Sequence, residues 1–312
     1  MSYDTPILLL TFNRPEFVKE QILLLRKIKA KYIYIFSDGP RIKNELDRLN
    51  VSKCRNILDN EIDWNCLVKK KFEKNNIGCG LGVSGAITWF FSLVEEGLII
   101  EDDCLLSESF FEFAEEMLNK YRFDESIAGI TADYRISSKD SFSYGLIPFP
   151  LIWGWATWKR AWDGYKPFLN QLKSFNLPSK VLKMPLKQRN YWEKNFKKII
   201  ESDIPHTWDY QFTYLVLNRD QKFIHPFTNL VKNMGFNDDA THTKMVNEFS
   251  FLERGFLRKP YKANFKSSRY EEFLSRKVFS DRNFYDKYRH KLKPLIKNTL
   301  KSFKYKLYKN KS

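Results

Sequence analysis

Three consecutive acidic residues, Glu101, Asp102 and Asp103, have the clearest capacity for chemistry in this sequence. They follow the apolar run Leu98-Ile99-Ile100, which is typical of a buried strand. Clustered carboxylates repel one another unless a cation holds them, and oxygen ligands suit Mn²⁺ or Mg²⁺. The same acids also fit a solvated loop or a helix N-cap, so both interpretations stay open at this point.

Polar residues also follow the first two strand-like runs. Asn13 and Arg14 come after the run 7–11, and Asp38 comes after the run 32–36. Ligands of open α/β sheets bind beyond the carboxyl ends of the strands, which places these residues beside the acidic triplet. Two alternatives remain, because Arg14 can pair with a neighbouring glutamate and Asp38 can simply stabilise the Ser-Asp-Gly-Pro turn.

Short β-like runs alternate with helical patterns over residues 1–132, and this alternation predicts a mostly parallel sheet flanked by helices. The second half is less regular, with an expected loop over 133–150 and a tryptophan cluster over 153–158. No internal repeat or low-complexity linker is visible. The sequence thus predicts an α/β catalytic domain over 1–264, divided into a nucleotide-binding half (1–132) and an acceptor half (133–264). The expected strands are 7–11, 32–36, 66–72, 98–100 and 223–226, and the expected helices begin near 15, 44, 87, 181 and 208.

Composition and charge narrow the class of protein. The 312 residues are 43% hydrophobic, which favours a folded chain over a disordered one. The four cysteines lack paired CxxC spacing, so free thiols are expected rather than a zinc site or a disulfide scaffold. Neither a signal peptide nor an apolar run long enough to span a bilayer is recognisable, which predicts a cytoplasmic protein.

The net charge of +16 is concentrated at the C-terminal end. Residues 287–312 contain ten lysines and arginines and no acidic residue, with apolar residues at helical spacing from Leu292 to Leu307. A basic helical tail over 265–312 is therefore expected. It either binds an anionic membrane surface, as a peripheral contact on the inner membrane, or packs on the domain. No nucleic-acid-binding motif accompanies the charge, so nucleic acid is not an expected partner.

Several short motifs, in this order, resemble the GT-A glycosyltransferases. The similarity is greatest to the N-acetylglucosaminyltransferase I group and to related bacterial enzymes of surface-polysaccharide synthesis, and it covers roughly residues 5–245. The resemblance implies a GT-A fold, a Rossmann-like nucleotide-diphospho-sugar transferase. The motifs are Thr11-Phe12-Asn13-Arg14, Ser37-Asp38-Gly39, Asn76-Ile77-Gly78, Ile100-Glu101-Asp102-Asp103, Trp153-Gly154-Trp155-Ala156-Thr157-Trp158, Trp208-Asp209-Tyr210-Gln211, Asn233-Met234-Gly235-Phe236 and Ala240-Thr241-His242-Thr243.

The resemblance implies roles for the matching residues. Asp103 would ligate Mn²⁺ or Mg²⁺, and His242 would contact the metal or the diphosphate. Asp209 would be the catalytic base of an inverting transfer from a nucleotide-sugar, with UDP as the expected nucleotide. Trp155 is a candidate for contact with the acceptor or the sugar. The nucleotide-sugar would be held by Thr11, Asn13, Arg14, Asp38, Asn76, Gly78, Glu101 and Asp102.

Simpler roles stand beside these. Asp209 also fits a helix N-cap, His242 a polar loop residue, and the tryptophan cluster a piece of core. The glycines Gly80, Gly82 and Gly85 follow the third expected strand and not the first, and no partner acid is suitably placed. This placement argues against the dinucleotide-binding site of an oxidoreductase.

The leading hypothesis is a metal-dependent glycosyltransferase acting on a glycan or lipid-linked oligosaccharide. A sugar nucleotidyltransferase is one alternative, although no Gly-rich, Arg/Lys-bearing loop for a triphosphate is visible near residue 1. A catalytically silent sugar-nucleotide or membrane-binding module is the other alternative.

Overall fold

The computed structural model describes residues 2–136, 141–169, 175–235, 252–266 and 269–280. The first part of the chain alternates strands and helices in the predicted order. A π-helical turn over Cys79–Val83 precedes the third helix. The elements are β1 (Ile7–Thr11), α1 (Pro15–Lys27), β2 (Tyr32–Ser37), α2 (Glu45–Asn60), β3 (Leu67–Phe72), α3 (Ser84–Phe91), β4 (Glu96–Glu101), β5 (Cys104–Leu106) and α4 (Glu108–Lys120).

The second part contains shorter elements. A strand lies within the region 133–150, so the expectation of a wholly irregular loop there was wrong. The elements are β6 (Ile127–Thr131), β7 (Tyr144–Ile147), β8 (Trp155–Trp158), α5 (Lys159–Trp162), α6 (Ser179–Leu182), α7 (Leu186–Ile200), α8 (Asp209–Asn218), β9 (Lys222–Pro226), β10 (Val231–Asn233) and α9 (Arg269–Phe273), with a π-helical turn over Leu274–Val278.

An eight-stranded sheet has the order β3-β2-β1-β4-β8-β6-β9-β7, and β10 pairs separately with β5. Strands β3, β2, β1 and β4 are mutually parallel, whereas β8 and β7 run against their neighbours. The chain moves outward from β1 to β3 and then returns to place β4 on the other side of β1. The strand order therefore reverses between β1 and β4, and such a switch point is where open α/β sheets form a ligand crevice.

Helices cover both faces of this sheet, as the buried residues of β1 illustrate. Ile7 and Leu9 belong to one apolar cluster with Val18 of α1, whereas Leu8 and Leu10 belong to a second cluster with Phe90 of α3. Successive side chains of a strand point to opposite faces, so a strand covered on both sides is continuously apolar. The predicted fold class, a mostly parallel α/β sheet flanked by helices, is confirmed.

The beginning of α1 shows why the chain turns where it does. Pro15 occupies the first helical position, where its missing N–H costs nothing, and Glu16 lies in the positive first turn. Arg26 and Lys27 lie in the last turn, where basic side chains face the negative end of the helix dipole. These signals place Arg14 at the helix start, directly beyond the end of β1.

The C-terminal part of the described chain packs against the second apolar cluster. Tyr270 and Leu274 are buried there, and the Tyr270 ring lies 4.5 Å from that of Tyr134 between centroids. Part of the segment predicted as a tail from residue 265 thus contributes to the core. The basic stretch 287–312 lies outside the described residues. No helix in the described part of the chain is both long enough and apolar enough to cross a bilayer.

Candidate active site

A cavity of about 530 Å³ opens at the carboxyl ends of β1, β2 and β4. This volume is in the range of small-molecule sites. Two sides of the cavity differ in chemistry. One, here called the carboxylate wall, consists of Arg14, Asp38 and Glu101–Asp103; the other, here called the aromatic wall, consists of Trp153 and Thr207–Tyr210.

Arg14 joins two acids of the carboxylate wall. Its Nη1 donates to Asp102 Oδ1 and to Asp103 Oδ2, each at 2.9 Å. The predicted alternative of an ion pair with a glutamate of α1 is not what the structure shows. Because the guanidinium is 23% exposed and the carboxylates 6% and 14%, this interaction is weakly screened by water.

The backbone fixes the position of Asp102. Its second carboxylate oxygen accepts from the Phe12 backbone N–H at 3.2 Å, and the Gln21 side-chain amide donates to the carbonyls of Asp102 and Cys104. Burial raises the pKa of Asp102, with Arg14 opposing that shift. Burial and the adjacent Asp103 and Asp102 also raise the pKa of Glu101. This cluster has more negative charge than its single arginine neutralises.

Asp38 organises the loop that follows β3. Its carboxylate accepts from the backbone N–H groups of Gly39, Ile77 and Gly78 and from the Asn76 amide, at 2.8 to 3.0 Å. Gly78 has a φ of +85°, a conformation that favours glycine. Burial raises the pKa of Asp38, and these backbone donors oppose the shift. Asp38 therefore shapes the cavity edge through the loop it holds, in addition to lining the cavity.

Asn13 lies outside the cavity wall. Its side-chain amide donates to Asp47 Oδ1 at 2.7 Å, and Asp47 also pairs with Arg41, which does line the cavity. Asn13 is thus placed to support Arg41 through Asp47. The predicted nucleotide contact of Asn13 stays a prediction that this placement does not favour.

Asp209 is the first residue of α8 and faces the cavity. The positive end of the helix dipole stabilises a carboxylate at this position. The Thr207 hydroxyl donates to Asp209 Oδ1. The preceding segment packs closely on the π-helical turn, because a Cβ added to Gly80 would lie 1.9 Å from the Pro205 carbonyl oxygen. Gly80 therefore lets the π-helical turn pack closely on the segment that leads to Asp209.

Two tyrosines form a hydrogen-bonded pair near Asp209. The hydroxyls of Tyr210 and Tyr191 lie 2.9 Å apart, and Tyr210 lines the cavity. Burial raises the pKa of both tyrosines, so both remain neutral around neutral pH. Burial also raises the pKa of Cys79 on the cavity wall, which makes a thiolate nucleophile unavailable there.

The tryptophan cluster divides between core and cavity. Trp155 is 1% exposed and stacks on Trp208 with 5.7 Å between ring centroids, so the predicted sugar contact for Trp155 does not fit its placement. Trp153, two residues earlier, is on the cavity wall. Gly154 between them has a φ of +65°, and this turn separates the two side chains.

The segment after β10 closes the carboxylate end of the cavity. The Met234 backbone N–H donates to the Asp103 carbonyl at 2.8 Å, and Asn233 and Gly235 line the cavity. A Cβ on Gly235 would lie 2.2 Å from Asp103 Oδ2, so this close approach requires glycine. His242, a predicted metal contact, lies outside the described residues.

The donor chemistry of the carboxylate wall fits a divalent cation. Mg²⁺ is usually bound through one or two carboxylates, with water and substrate phosphates completing its coordination. Glu101 and Asp103 offer such oxygens on the wall. Within the described ranges, no three His, Cys, Asp or Glu side chains are already grouped to hold a metal ion. The residues suit a cation shared with a bound phosphate better than a cage made by protein alone.

The fold thus brings most of the predicted site residues to one cavity: Thr11, Arg14, Asp38, Asn76, Gly78, Glu101, Asp102, Asp103 and Asp209. Sequence reasoning missed Arg41, Trp153, His206, Thr207 and Tyr210. His206, Thr207 and Tyr210 lie within three residues of Asp209 in the sequence, and this proximity to a predicted site residue was the signal that could have identified them.

Comparison with known proteins establishes no family. No protein-family model matches the sequence, and no curated protein matches it either. Among solved structures, a UDP-glucose pyrophosphorylase complexed with UDP-glucose is 11% identical, with 75% of this chain and 94% of that chain covered and a TM-score of 0.39. HddC from Yersinia pseudotuberculosis is 13% identical over 56% of this chain and 87% of its own, with a TM-score of 0.33. A 4-diphosphocytidyl-2C-methyl-D-erythritol synthase from Anaerococcus prevotii is 12% identical over 72% and 87%, with a TM-score of 0.34.

Proposed function

We propose that this protein is a transferase that uses a nucleotide-sugar, and that it transfers the sugar to an acceptor hydroxyl. The observation that carries the proposal is the arrangement of one cavity, with Arg14 and three acids at the ends of β1 and β4 and Asp209 on the aromatic wall. The first group would suit a diphosphate with its cation, and Asp209 would act as a base on the other wall.

The reaction follows from these two walls. Asp209 accepts the proton of the acceptor hydroxyl while that oxygen forms a bond to the anomeric carbon of the sugar. The bond between that carbon and the diphosphate oxygen breaks, and the nucleoside diphosphate leaves with its electron pair. Attack opposite the leaving group inverts the anomeric centre, and no covalent enzyme intermediate is needed.

The carboxylate wall would stabilise the leaving group. Glu101 and Asp103 would hold Mn²⁺ or Mg²⁺, which when bound neutralises charge that develops on the diphosphate. Arg14 adds a fixed positive charge beside the same position. Asp38 keeps the Asn76–Gly78 loop in place, so that the loop can border the nucleoside.

Nucleotidyl transfer is the second candidate, because the same cavity could hold a nucleoside triphosphate and a sugar phosphate. These two substrates together bring more negative charge than a nucleotide-sugar. Among the described residues that line the cavity, the arginines are Arg14 and Arg41. Arg14 already pairs with Asp102 and Asp103, and Arg41 already pairs with Asp47. This charge balance favours sugar transfer.

³¹P NMR distinguishes the two reactions. The protein is incubated with UDP-sugars, Mg²⁺ and a panel of glycan acceptors, and separately with UDP-sugars, Mg²⁺ and pyrophosphate. Sugar transfer releases UDP in the first mixture and leaves the second unchanged. Formation of UTP and sugar 1-phosphate in the second mixture would instead establish nucleotidyl transfer. No reaction in either mixture, including repeats in which GDP- and CMP-sugars replace the UDP-sugars, would favour a silent binding module.

A glycan or lipid-linked oligosaccharide is the proposed acceptor, with the basic stretch 287–312 as the proposed contact with an anionic membrane. Co-sedimentation with anionic liposomes, with and without residues 287–312, tests this part. Equal sedimentation of both proteins would contradict the membrane contact.

A further inference from the structure

Trp153 combines a place on the cavity wall with an unusual neighbour. The Arg135 guanidinium carbon lies 4.1 Å from the centroid of the Trp153 ring, a distance typical of direct stacking. Arg135 is absent from the cavity wall in the part of the chain that the structure describes. The guanidinium thus stacks on the indole, and the tryptophan itself lines the cavity.

Arg135 is in turn held by a buried carboxylate. Its Nε donates to Asp133 Oδ1 at 3.0 Å and to Oδ2 at 2.8 Å, and its Nη2 also donates to Oδ2. The side chains are 10% and 1% exposed. Desolvation makes a buried ion pair a poor source of stability compared with apolar packing of the same volume, so its presence here points to a role in positioning.

The backbone of this segment is fixed as well. The Arg135 backbone N–H donates to the Tyr270 hydroxyl at 3.2 Å, and that hydroxyl donates to the Asp133 carbonyl at 3.4 Å. Tyr270 is 1% exposed, so this anchor lies in the core. The chain from the core through Asp133 and Arg135 to Trp153 thus ends at the cavity with an aromatic ring held in one orientation.

We propose that Trp153 is the sugar-stacking residue of the cavity, and that Arg135, clamped by Asp133, is the positioning residue that holds its ring. The ligand is a pyranose ring, whose C–H groups pack on an aromatic face. A ring whose orientation is already fixed loses little conformational freedom on binding, which favours affinity. The proposal rests on the proposed function, since the pyranose belongs either to the donor or to the acceptor.

Indole N–H signals in ¹H–¹⁵N spectra test the contact directly. Trp153→Phe identifies the Trp153 signal by its disappearance, and a thermal melt confirms that this variant is folded. The wild-type protein is titrated with UDP, with UDP-glucose, UDP-galactose and UDP-N-acetylglucosamine, and with methyl glycosides of the same sugars. We expect the Trp153 signal to shift with at least one sugar-bearing probe beyond any shift caused by UDP alone.

The probes separate the sources of the sugar. A shift with a UDP-sugar assigns the stacked ring to the donor, and a shift with a methyl glycoside assigns it to the acceptor. A shift with methyl glycosides in a protein that binds no nucleotide would keep the sugar platform and refute the proposed function. An unchanged Trp153 signal in a protein that binds UDP-sugars would overturn the platform and leave the proposed function standing.

A matched pair of arginine variants tests the positioning role. In Arg135→Met with Asp133→Asn, both charges are removed, so no unpaired carboxylate stays buried. The control is Arg160→Met, because Arg160 lies 4.3 Å over the ring of Trp158, which is 2% exposed in the core. We expect the first variant to weaken binding of the sugar-bearing probe that shifts the Trp153 signal about three- to tenfold, with UDP binding unchanged. The Arg160 variant should change neither affinity. Equal losses for UDP and for that sugar-bearing probe, or equal effects of the two variants, would overturn the positioning role.

Discussion

The two walls of the cavity are built in different ways. The carboxylate wall is held by charge: one guanidinium bridges two aspartates, and backbone N–H groups and a side-chain amide satisfy Asp38. The aromatic wall is held by packing and by the start of a helix, with Trp208 stacked on the buried Trp155. Loss of a charge on the carboxylate wall should therefore lower both the stability of the fold and the affinity for a ligand. On the aromatic wall, substitution of a polar side chain can abolish catalysis and leave the fold intact.

Asp209→Asn is expected to give the largest effect on activity. It tests the claim that a polar change on the aromatic wall can remove the chemistry and leave the fold intact. Removal of a general base lowers the rate of transfer by about 10²- to 10⁴-fold. Asparagine keeps the size of the side chain at the start of α8, so UDP affinity and melting temperature should stay close to wild type. Steady-state rates, calorimetric titration and a thermal melt measure the three quantities. A variant that transfers sugar at the wild-type rate would exclude Asp209 as the base.

Arg14→Met tests the claim that the carboxylate wall is held together by charge. The variant leaves the nearly buried Asp102 and the neighbouring Asp103 without their cation, and the free energy of unfolding should fall by about 3 kcal/mol. Urea denaturation at neutral pH measures this loss. Arg26→Met is the control, because its ion pair with Asp63 is exposed and should contribute less than about 1 kcal/mol. Similar losses in both variants would contradict the idea that charge holds the carboxylate wall together.

Gly80→Ala probes the close contact between the π-helical turn Cys79–Val83 and the segment that leads to Asp209. The new methyl group would overlap the Pro205 carbonyl, so the segment that leads to Asp209 must move, at a cost of about 2 kcal/mol. Gly85 on α3 is the matched control, since no atom lies within 4 Å of a Cβ added there. Gly85→Ala should leave activity unchanged and raise stability by up to about 1 kcal/mol through its better helix propensity. Full activity in Gly80→Ala would show that the position of Asp209 does not depend on this contact.

His225 makes the stability of the fold sensitive to pH. It is fully buried, stacks on Tyr134, and burial lowers its pKa to about 4. The unfolded chain therefore binds a proton at a higher pH than the folded one. The free energy of unfolding is therefore highest above about pH 6.5 and falls as the pH is lowered toward 4. The loss between pH 7 and pH 5 is about 2 kcal/mol.

His225→Phe should remove this part of the pH dependence. Urea denaturation of the variant and of the wild type at pH 7 and at pH 5 measures it, and the free energy of unfolding should fall less in the variant. The same drop in stability in both proteins would assign the pH dependence to other groups, such as the carboxylates.

The contrast between the walls also explains what the sequence could reveal. The carboxylate wall consists of residues that directly follow regular strands, and parallel strands bring their carboxyl ends to one edge. The amino-acid pattern alone was therefore enough to group Arg14, Asp38 and Glu101–Asp103. The partner of Arg14 could not be predicted in this way, because the glutamates of α1 are nearer in sequence than Asp102 or Asp103.

The aromatic wall was harder to predict. Trp153 and Trp155 are the same residue type two positions apart, so the sequence does not tell which of them is buried. In the structure Trp155 is buried, and a left-handed turn at Gly154 separates the two. The strand Tyr144–Ile147 was missed for a related reason, since it pairs with β9, which follows far along the chain. Asp209 was found through the resemblance of its motif rather than through periodicity.

Calorimetric titration with UDP tests the central claim most directly, namely that the carboxylate wall holds a nucleoside diphosphate together with a divalent cation. The wild-type protein and Asp103→Asn are each titrated with UDP in the presence of Mn²⁺, Mg²⁺ or EDTA. We predict that UDP binds the wild-type protein only when a divalent cation is present, and that Asp103→Asn loses at least about tenfold in affinity, or 1.4 kcal/mol. Equal UDP affinity with cation and with EDTA, unchanged in Asp103→Asn, would contradict the account.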